Sequence, residues 1–299
     1  MTGGNQDQHR LLSGYSGAKL TLIEHNNFLT VRKEAQSIES SNRLRTQAAK
    51  LVSAHESGVP CPAVLNEGEN DGCYWFEMEY IVGETIAHGL ISGREFDWSH
   101  LVFQVDEIVS SFRATAGDLL PSMDFASKIE NIAQKCRNNE VVKQHDDLIS
   151  GIAHVLSSLD WSSLEHSKSH GDMTLENILI RRDGRIAFID FDVPEHESYM
   201  LDIGKLYQDL YGEWFLRRLA LECPESIQLF NIRLRLARAV SYFDKAMIPK
   251  LAGGNAKISQ LAAYHLMRTL PYATESNTPR FVLGRIVMLL GTGPLRNRA

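Results

Sequence analysis

The most constraining feature of this sequence is a pair of short apolar runs, residues 178–180 and 186–189, on either side of Asp183-Gly184. An Asp-Gly pair between apolar, β-branched runs is typical of a two-residue type I′ turn, so the runs are predicted to form an antiparallel β-hairpin. With these two residues as the loop, the numbers of paired residues sum to 367, which predicts that Asn177 lies opposite Asp190.

Asn177 and Asp190 both carry side-chain oxygens. Directly opposed residues on one face of a hairpin have Cβ atoms roughly 4.5–5.5 Å apart. Because magnesium binds oxygen ligands at about 2.1 Å, two such side chains can share one ion. Asp172 precedes Asn177 by five residues and is expected at the same end of the hairpin. The sequence therefore predicts one carboxylate able to act as a base beside two metal ligands.

The segment from His170 to Asp192 resembles the catalytic loop of the kinases, in which H-x-D-x-x-x-x-N is followed by a metal-binding Asp after a short hairpin. Its His-Gly-Asp form, with Asp-Phe-Asp in place of Asp-Phe-Gly, is similar to the aminoglycoside phosphotransferase and choline kinase-like family. The alternative is a surface hairpin with incidental carboxylates. The resemblance implies that Asp172 is the catalytic base and that Asn177 and Asp190 are catalytic magnesium ligands. Asp192 is expected near the metal, with binding of a second ion or contact with substrate as the alternatives.

The resemblance also implies a fold of the α+β class: a two-lobed, protein kinase-like structure. Residues 1–83 would form an N-terminal nucleotide-binding lobe, a small antiparallel sheet with one main helix, and residues 1–10 are expected to be disordered. Residues 84–299 would form a larger, mostly helical lobe that carries the catalytic hairpin and the substrate site. Apolar residues recur at helical spacing over 99–115, 127–136 and 146–159.

Nucleotide contacts are expected in the N-terminal lobe. In the strand 28–34, Lys33 shares a face with apolar residues and matches the kinase lysine that pairs with the α- and β-phosphates, with Arg32 as the alternative. The loop 13–17, including Ser16 and Gly17, would cover the phosphates, although a plain turn is an alternative. Residues 73–83 resemble the strand that contacts adenine, through backbone groups near Glu79 and Ile81.

One position departs from the family. The helix predicted over 39–56 should carry a Glu to pair with the strand lysine, and this chain has Gln47 there. An amide can still accept a hydrogen bond from an ammonium, but a bond without charge assistance is roughly half as strong.

Two further residues are expected to support the loop. His170 should orient it without being the base. Asp202 follows Met200-Leu201 and opens a helical stretch, so it is predicted to be the helix N-cap, and the resemblance implies that it steadies the catalytic loop.

The charge is unevenly distributed. From residue 203 to the end, 14 Lys and Arg stand against 6 Asp and Glu, a balance of 14 − 6 = +8 in a chain of net charge −6. A basic acceptor-binding segment disfavours polycationic aminoglycosides. Candidate contacts to an anionic or sugar acceptor are Arg233, Arg235 and Arg268. The alternative is that these cations are solvated helix residues.

Other classes of protein are disfavoured. The apolar runs are far shorter than the roughly 20 residues of a membrane helix, no secretory signal is evident, and the acidic total weighs against nucleic-acid binding. Four scattered cysteines are typical of reduced thiols in a cytoplasmic protein.

The expected function is magnesium-dependent transfer of the γ-phosphate of ATP or GTP to a hydroxyl of a sugar, amino alcohol or related metabolite. The alternative is a catalytically silent nucleotide-binding scaffold of the same fold.

Overall fold

The computed structural model describes residues 8–12, 17–25, 28–120 and 122–291; for residues 8–12 and 122–124 it describes the backbone only. These residues form a mixed α+β structure, with a small antiparallel-sheet part and a larger helical part, as predicted. They group into two compact units, one within Met1–Glu84 and Ile178–Pro194, the other within Thr85–Asn177 and Glu195–Ala299. No helix in the described part of the chain is both long and apolar enough to span a membrane.

The first unit contains a five-stranded antiparallel sheet in the order β1-β2-β3-β5-β4. Its strands are β1 (Gln8–Leu12), β2 (Lys19–His25), β3 (Phe28–Glu34), β4 (Val64–Asn70) and β5 (Cys73–Glu79). Strand β3 is central, and its Lys33 pairs with Leu20 on one side and Phe76 on the other. The expectation of disorder through residue 10 is wrong for residues 8–10, which pair with β2; residues 1–7 lie outside the described residues.

Helix α1 (Ile38–Glu56) follows the third strand, close to the predicted span. Its N-cap is Ser37, whose side chain accepts a hydrogen bond from the Ser40 N–H. The Ser40 side chain in turn accepts a hydrogen bond from the Ser37 N–H. Such reciprocal capping satisfies backbone donors that the first helical turn leaves unpaired. Gly58 follows the helix with φ +81°, a left-handed conformation that glycine adopts without steric cost.

A three-stranded sheet is formed by β6 (Gly83–Thr85), β7 (Ile178–Arg181) and β8 (Ile186–Phe188), in that order. The predicted hairpin is confirmed, but its predicted register is wrong by one residue. Ile178 pairs with Phe188 and Ile180 with Ile186, so paired numbers sum to 366 and the loop has three residues. The Asp183 side chain accepts the Arg185 N–H at 3.0 Å, and only Gly184 in the loop has positive φ, at +82°. This geometry fits a type I turn closed by a left-handed glycine, whereas a type I′ turn needs positive φ at two residues.

The second unit is helical. Its helices are α2 (Ile86–Ser92), α3 (Trp98–Arg113), α4 (Ser122–Arg137), α5 (Asp146–Ser157), α6 (Tyr199–Leu210), α7 (Arg217–Glu222), α8 (Ile227–Met247), α9 (Gly254–Met267) and α10 (Thr278–Gly291). The three helices predicted between residues 99 and 159 are confirmed as α3, α4 and α5. Helix α6 is buried along almost its whole length. It approaches α9 closely at Gly204, where an added Cβ would lie 2.7 Å from the Leu261 Cβ.

Candidate active site

In the second unit, the carboxylate of Asp172 is held between two donors. The Lys205 Nζ lies 2.8 Å from its Oδ1, and the Asn177 Nδ2 donates to its Oδ2 at 3.0 Å. The Asn177 Nδ2 also donates to the Asp172 carbonyl at 2.8 Å, which closes the loop on itself. The Asp172 side chain is 31% exposed, so a reactant could reach this fixed carboxylate.

The same contacts fix the orientation of the Asn177 amide. A flipped amide would place its oxygen against the Asp172 carboxylate, so the nitrogen must face Asp172. The Asn177 Oδ1 has no hydrogen-bond donor among the described residues. An amide oxygen left without a donor is a suitable ligand for a hard cation such as magnesium.

His170 lies at the start of this loop and is fully buried. Its Nδ1 accepts a hydrogen bond from the backbone N–H of Asp172 at 3.2 Å. The imidazole ring therefore holds the backbone of Asp172 in place. Gly171, between them, has φ +91°, which favours glycine at this position.

Asp202 supports the loop from α6, but the predicted helix N-cap is wrong. The cap is Ser198, whose side chain accepts from the Met200 N–H, and Asp202 lies within the first turn, 2% exposed. Its two carboxylate oxygens instead accept the backbone N–H groups of His170 at 2.5 Å and Gly171 at 2.8 Å. Pattern reasoning overlooked Ser198 because the two apolar residues before Asp202 already belong to the helix.

Asp209 holds the other end of the loop. Its carboxylate accepts the N–H of Leu175 at 2.8 Å and that of Phe215 at 3.2 Å. Complete burial, and secondarily the nearby Glu176 carboxylate, raises the pKa of Asp209 to about 7. Burial likewise raises the pKa of Glu176, which is half-buried in the same loop.

Sequence reasoning missed Lys205 and Asp209. Both lie on α6 with Asp202, at positions 202, 205 and 209, a spacing that places three side chains on one helix face. The available signal was this row of charged residues in an otherwise apolar helix. The sequence alone did not reveal that the row faces the loop 170–177.

In the first unit, Lys33 is 3% exposed and its Nζ lies 2.5 Å from the Oδ1 of Asp190. The alternative, Arg32, points to the other face of β3. It pairs with Glu77 and its guanidinium lies 4.0 Å from the Trp75 ring centre. The Asp190 side chain is 37% exposed, and its φ of +59° is left-handed, which is uncommon outside glycine.

Gln47 and Asp192 bind each other. The Gln47 Nε2 donates to the Asp192 Oδ1 at 2.9 Å, and Arg43 lies 2.9 Å from both carboxylate oxygens. Although burial opposes ionisation, the hydrogen bonds from Gln47 and Arg43 lower the pKa of Asp192. The Gln47 amide of α1 therefore binds Asp192, whereas Lys33 of β3 binds Asp190.

The other predicted nucleotide contacts are spread along the first unit. Gly17 has φ +69° with no atom within 4 Å of an added Cβ, and Ser16 lies outside the described residues. Glu79 ends β5, and its N–H donates to the Ala63 carbonyl at 2.9 Å. Ile81, two residues later, is buried.

The predicted acceptor-binding arginines have partners within the helical unit. Arg233 binds Glu213, as does Arg285. The Arg235 Nε donates to the Leu90 carbonyl at 3.0 Å, and an Arg268 nitrogen lies 3.3 Å from the His265 Nδ1. All three predicted residues therefore have partners within the helical unit, and their contact with an acceptor stays a prediction.

Comparisons with known proteins agree on a fold. A protein described as a fructosamine-3-kinase from Haemophilus somnus 129PT is 15% identical, with a TM-score of 0.61 over 96% of this chain and 93% of that chain. A thermostable mutant of aminoglycoside phosphotransferase APH(4)-Ia, in ternary complex with AMP-PNP and hygromycin B, is 15% identical, with a TM-score of 0.62 over 96% of this chain and 95% of that chain. Choline kinase LicA from Streptococcus pneumoniae is 13% identical, with a TM-score of 0.54 over 95% of this chain and 93% of that chain. These likenesses confirm the predicted kinase-like fold.

No curated protein sequence matches the chain significantly. Residues 7–223, more than half of the chain, match the family model described as the phosphotransferase enzyme family. The predicted enzyme class, a phosphotransferase, is confirmed by this match. The chain belongs to the phosphotransferase enzyme family.

Proposed function

We propose that this protein is a magnesium-dependent kinase that transfers the γ-phosphate of ATP or GTP to a hydroxyl of a sugar, an amino alcohol or a related metabolite. The observation that carries the proposal is the Asp172 carboxylate, fixed between Asn177 and Lys205 yet partly open to solvent. Phosphoryl transfer requires positioning and charge stabilisation more than covalent chemistry from the protein.

Asp172 is the proposed catalytic base. It would orient the acceptor hydroxyl and accept its proton within hydrogen-bond reach. Three sets of hydrogen bonds fix it. The His170 ring accepts from its backbone N–H, and Asn177 donates to its carboxylate. Asp202 accepts the N–H groups of His170 and Gly171, just before it in the chain. Lys205 supplies a positive charge at the base, suited to the negative charge of a transferring phosphoryl group.

Lys33 is the proposed ligand of the nucleotide α- and β-phosphates. Its burial and its ion pair with Asp190 support a fixed ammonium rather than a solvated surface cation. Backbone groups near Glu79 and Ile81 would contact the base, and the loop at Ser16 and Gly17 would cover the phosphates. The assignments of the base contacts and of the phosphate-covering loop rest on their positions in the motif.

Asn177 and Asp190 are the proposed magnesium ligands. Both offer oxygen, the donor that magnesium prefers, and the Asn177 Oδ1 has no donor among the described residues. When bound, the ion would neutralise charge on the nucleotide phosphates. Asp192 is a weaker candidate because its carboxylate oxygens accept hydrogen bonds from Arg43 and Gln47.

One feature favours the silent-scaffold alternative: the helix glutamate expected from the family is missing, and Gln47 stands in its place. Lys33 has Asp190 as its ionic partner, so its position does not depend on that glutamate. Exclusion of polycationic acceptors stays a prediction, because Arg233, Arg235 and Arg268 have partners within the helical unit.

The test is a thermal-shift titration with ATP, GTP and AMP-PNP, with and without magnesium. A ligand at 100 times its dissociation constant stabilises the folded state by about 2.7 kcal/mol. Asp190→Asn, which leaves Lys33 an oxygen acceptor, should lose the magnesium-dependent shift. Asp183→Asn, in the exposed loop of the same hairpin, should keep it.

If the wild type responds, phosphate transfer is then screened against sugars, amino alcohols and aminoglycosides. A wild type that is folded but shifted by none of the nucleotides would contradict the proposal. Turnover of an aminoglycoside alone would contradict the predicted acceptor class while leaving the kinase assignment intact.

A further inference from the structure

Three side chains of α1 converge on Asp192. Arg43 donates to both carboxylate oxygens at 2.9 Å, and Gln47 donates to Oδ1 at 2.9 Å. One turn further along the helix, the Lys50 Nζ donates to the Asp192 backbone carbonyl at 2.7 Å. The side chain and the backbone of one residue are therefore both fixed by one helix.

Asp192 is two residues from Asp190, the ionic partner of Lys33. Phe191 lies between them and is 3% exposed, so this short segment is also anchored by burial. A continuous series of contacts thus runs from Gln47 to Asp192, along the backbone to Asp190, and from there to the lysine on β3.

Gln47 suits this arrangement better than a glutamate. Its amide nitrogen lies 2.9 Å from a carboxylate oxygen, and a glutamate would place a second carboxylate oxygen at that position. Like charges at such a distance repel, and the effect is largest where the groups are shielded from water. Gln47 is 7% exposed.

We propose that Asp192 is a positioning residue through which α1 orients the Asp190–Lys33 pair, and that Gln47 is the donor this arrangement requires. The inference rests on the proposed function, since the positioned lysine is the proposed nucleotide ligand. The family is expected to pair a helix glutamate directly with the strand lysine. In this arrangement Gln47 acts on Lys33 indirectly, through Asp192 and Asp190. It also gives Asp192 a role other than direct metal binding.

The test exchanges the amide of Gln47 and the carboxylate of Asp192. Gln47→Glu places a second carboxylate against Asp192, and Asp192→Asn removes the acceptor's charge and one of the two oxygens that bind Arg43. Gln47→Glu combined with Asp192→Asn restores an amide–carboxylate pair with the roles reversed. Arg45→Ala is the control, because Arg45 lies on the same helix but pairs with the exposed Glu69. For each variant, the melting temperature without ligand and the dissociation constant of AMP-PNP with magnesium are measured.

Each single variant is expected to weaken AMP-PNP binding about tenfold, the equivalent of one hydrogen bond to a charged group. The double variant should recover to within about threefold of wild type, and Arg45→Ala should bind as wild type does. A role in stability alone would lower the melting temperatures of the single variants without changing nucleotide affinity, and would overturn the inference.

Three other results would also overturn it. If Gln47→Glu binds nucleotide as well as wild type does, the helix position does not require a donor. If Asp192→Asn raises the magnesium requirement and the double variant does not recover, Asp192 acts as a metal ligand instead. A wild type that binds no nucleotide would overturn both the inference and the proposed function, whereas the two preceding results leave the proposed function standing.

Discussion

The Lys205 ammonium lies 2.8 Å from the Asp172 carboxylate, on the oxygen opposite the one that Asn177 binds. The lysine is 17% exposed and projects from α6, the helix that also carries Asp202 and Asp209. One helix therefore supplies the ionic partner of the proposed base and the acceptors for the backbone around it. Contacts from α6 therefore fix the loop 170–177 at several of its residues.

Replacement of Lys205 by methionine tests that relationship. Methionine keeps much of the apolar stem but removes the charge, so Asp172 should lose one of its two side-chain donors. We expect the turnover number to fall about 10- to 100-fold, as for loss of a charge-assisted hydrogen bond, with little change in nucleotide affinity. Steady-state kinetics and AMP-PNP binding check this. Lys245→Met, an exposed lysine of α8, should leave both unchanged.

Replacement of Asp172 by asparagine removes the base while preserving its size. A positioned general base typically contributes about 10²–10⁴-fold, and we expect a loss of turnover in that range. Nucleotide binding by thermal shift should persist, which separates chemistry from binding. Asp183→Asn, at the exposed hairpin loop, should turn over normally. An active Asp172→Asn enzyme would show that the loop carboxylate is not the base.

Asp209 should make stability depend on pH. Burial raises its pKa from 3.8 to about 7, so between these values the folded state holds a proton that the unfolded state releases. Its contribution is therefore fully present below pH 3.8 and is lost as the pH rises through 7, with a slope of at most about 1.4 kcal/mol per pH unit. In Asp209→Asn, the melting temperature should fall less between pH 5 and 8 than in wild type. Parallel profiles would show that Asp209 is ionised throughout.

The sequence predicted the local elements well where a pattern repeats or a turn residue interrupts it. Helix α1 and the strand carrying Lys33 follow from apolar spacing, and Lys33 rather than Arg32 is the buried cation. The hairpin was predicted, but its register depends on whether Asp183 adopts positive φ. The Arg185 N–H donates to the Asp183 side chain in the observed three-residue loop. The preference of an Asp-Gly pair for a two-residue turn does not predict this loop length.

The residue patterns in the sequence do not predict contacts between distant segments. Gln47 was predicted to face the lysine, and it binds Asp192, 145 residues later. Lys205 and Asp209 sit in a helix whose periodicity shows a buried element but does not identify what it packs against. Asp202 was predicted to steady the loop, and its bonds to His170 and Gly171 support that role, although its predicted cap role is wrong.

Replacement of Lys33 by methionine tests the nucleotide end of the proposed site. The change removes the cation beside Asp190 but keeps an apolar side chain of similar length in a buried position. Asp190 is partly exposed, so its unpaired charge can be hydrated and the melting temperature should change little. The dissociation constant of AMP-PNP with magnesium should rise about 10- to 100-fold, as for loss of a charge-assisted contact to phosphate. Lys19→Met, an exposed lysine of the same sheet that pairs with Glu34, should bind nucleotide as wild type does. If the two variants bind equally well, Lys33 serves only the ion pair with Asp190, and another cation must hold the phosphates.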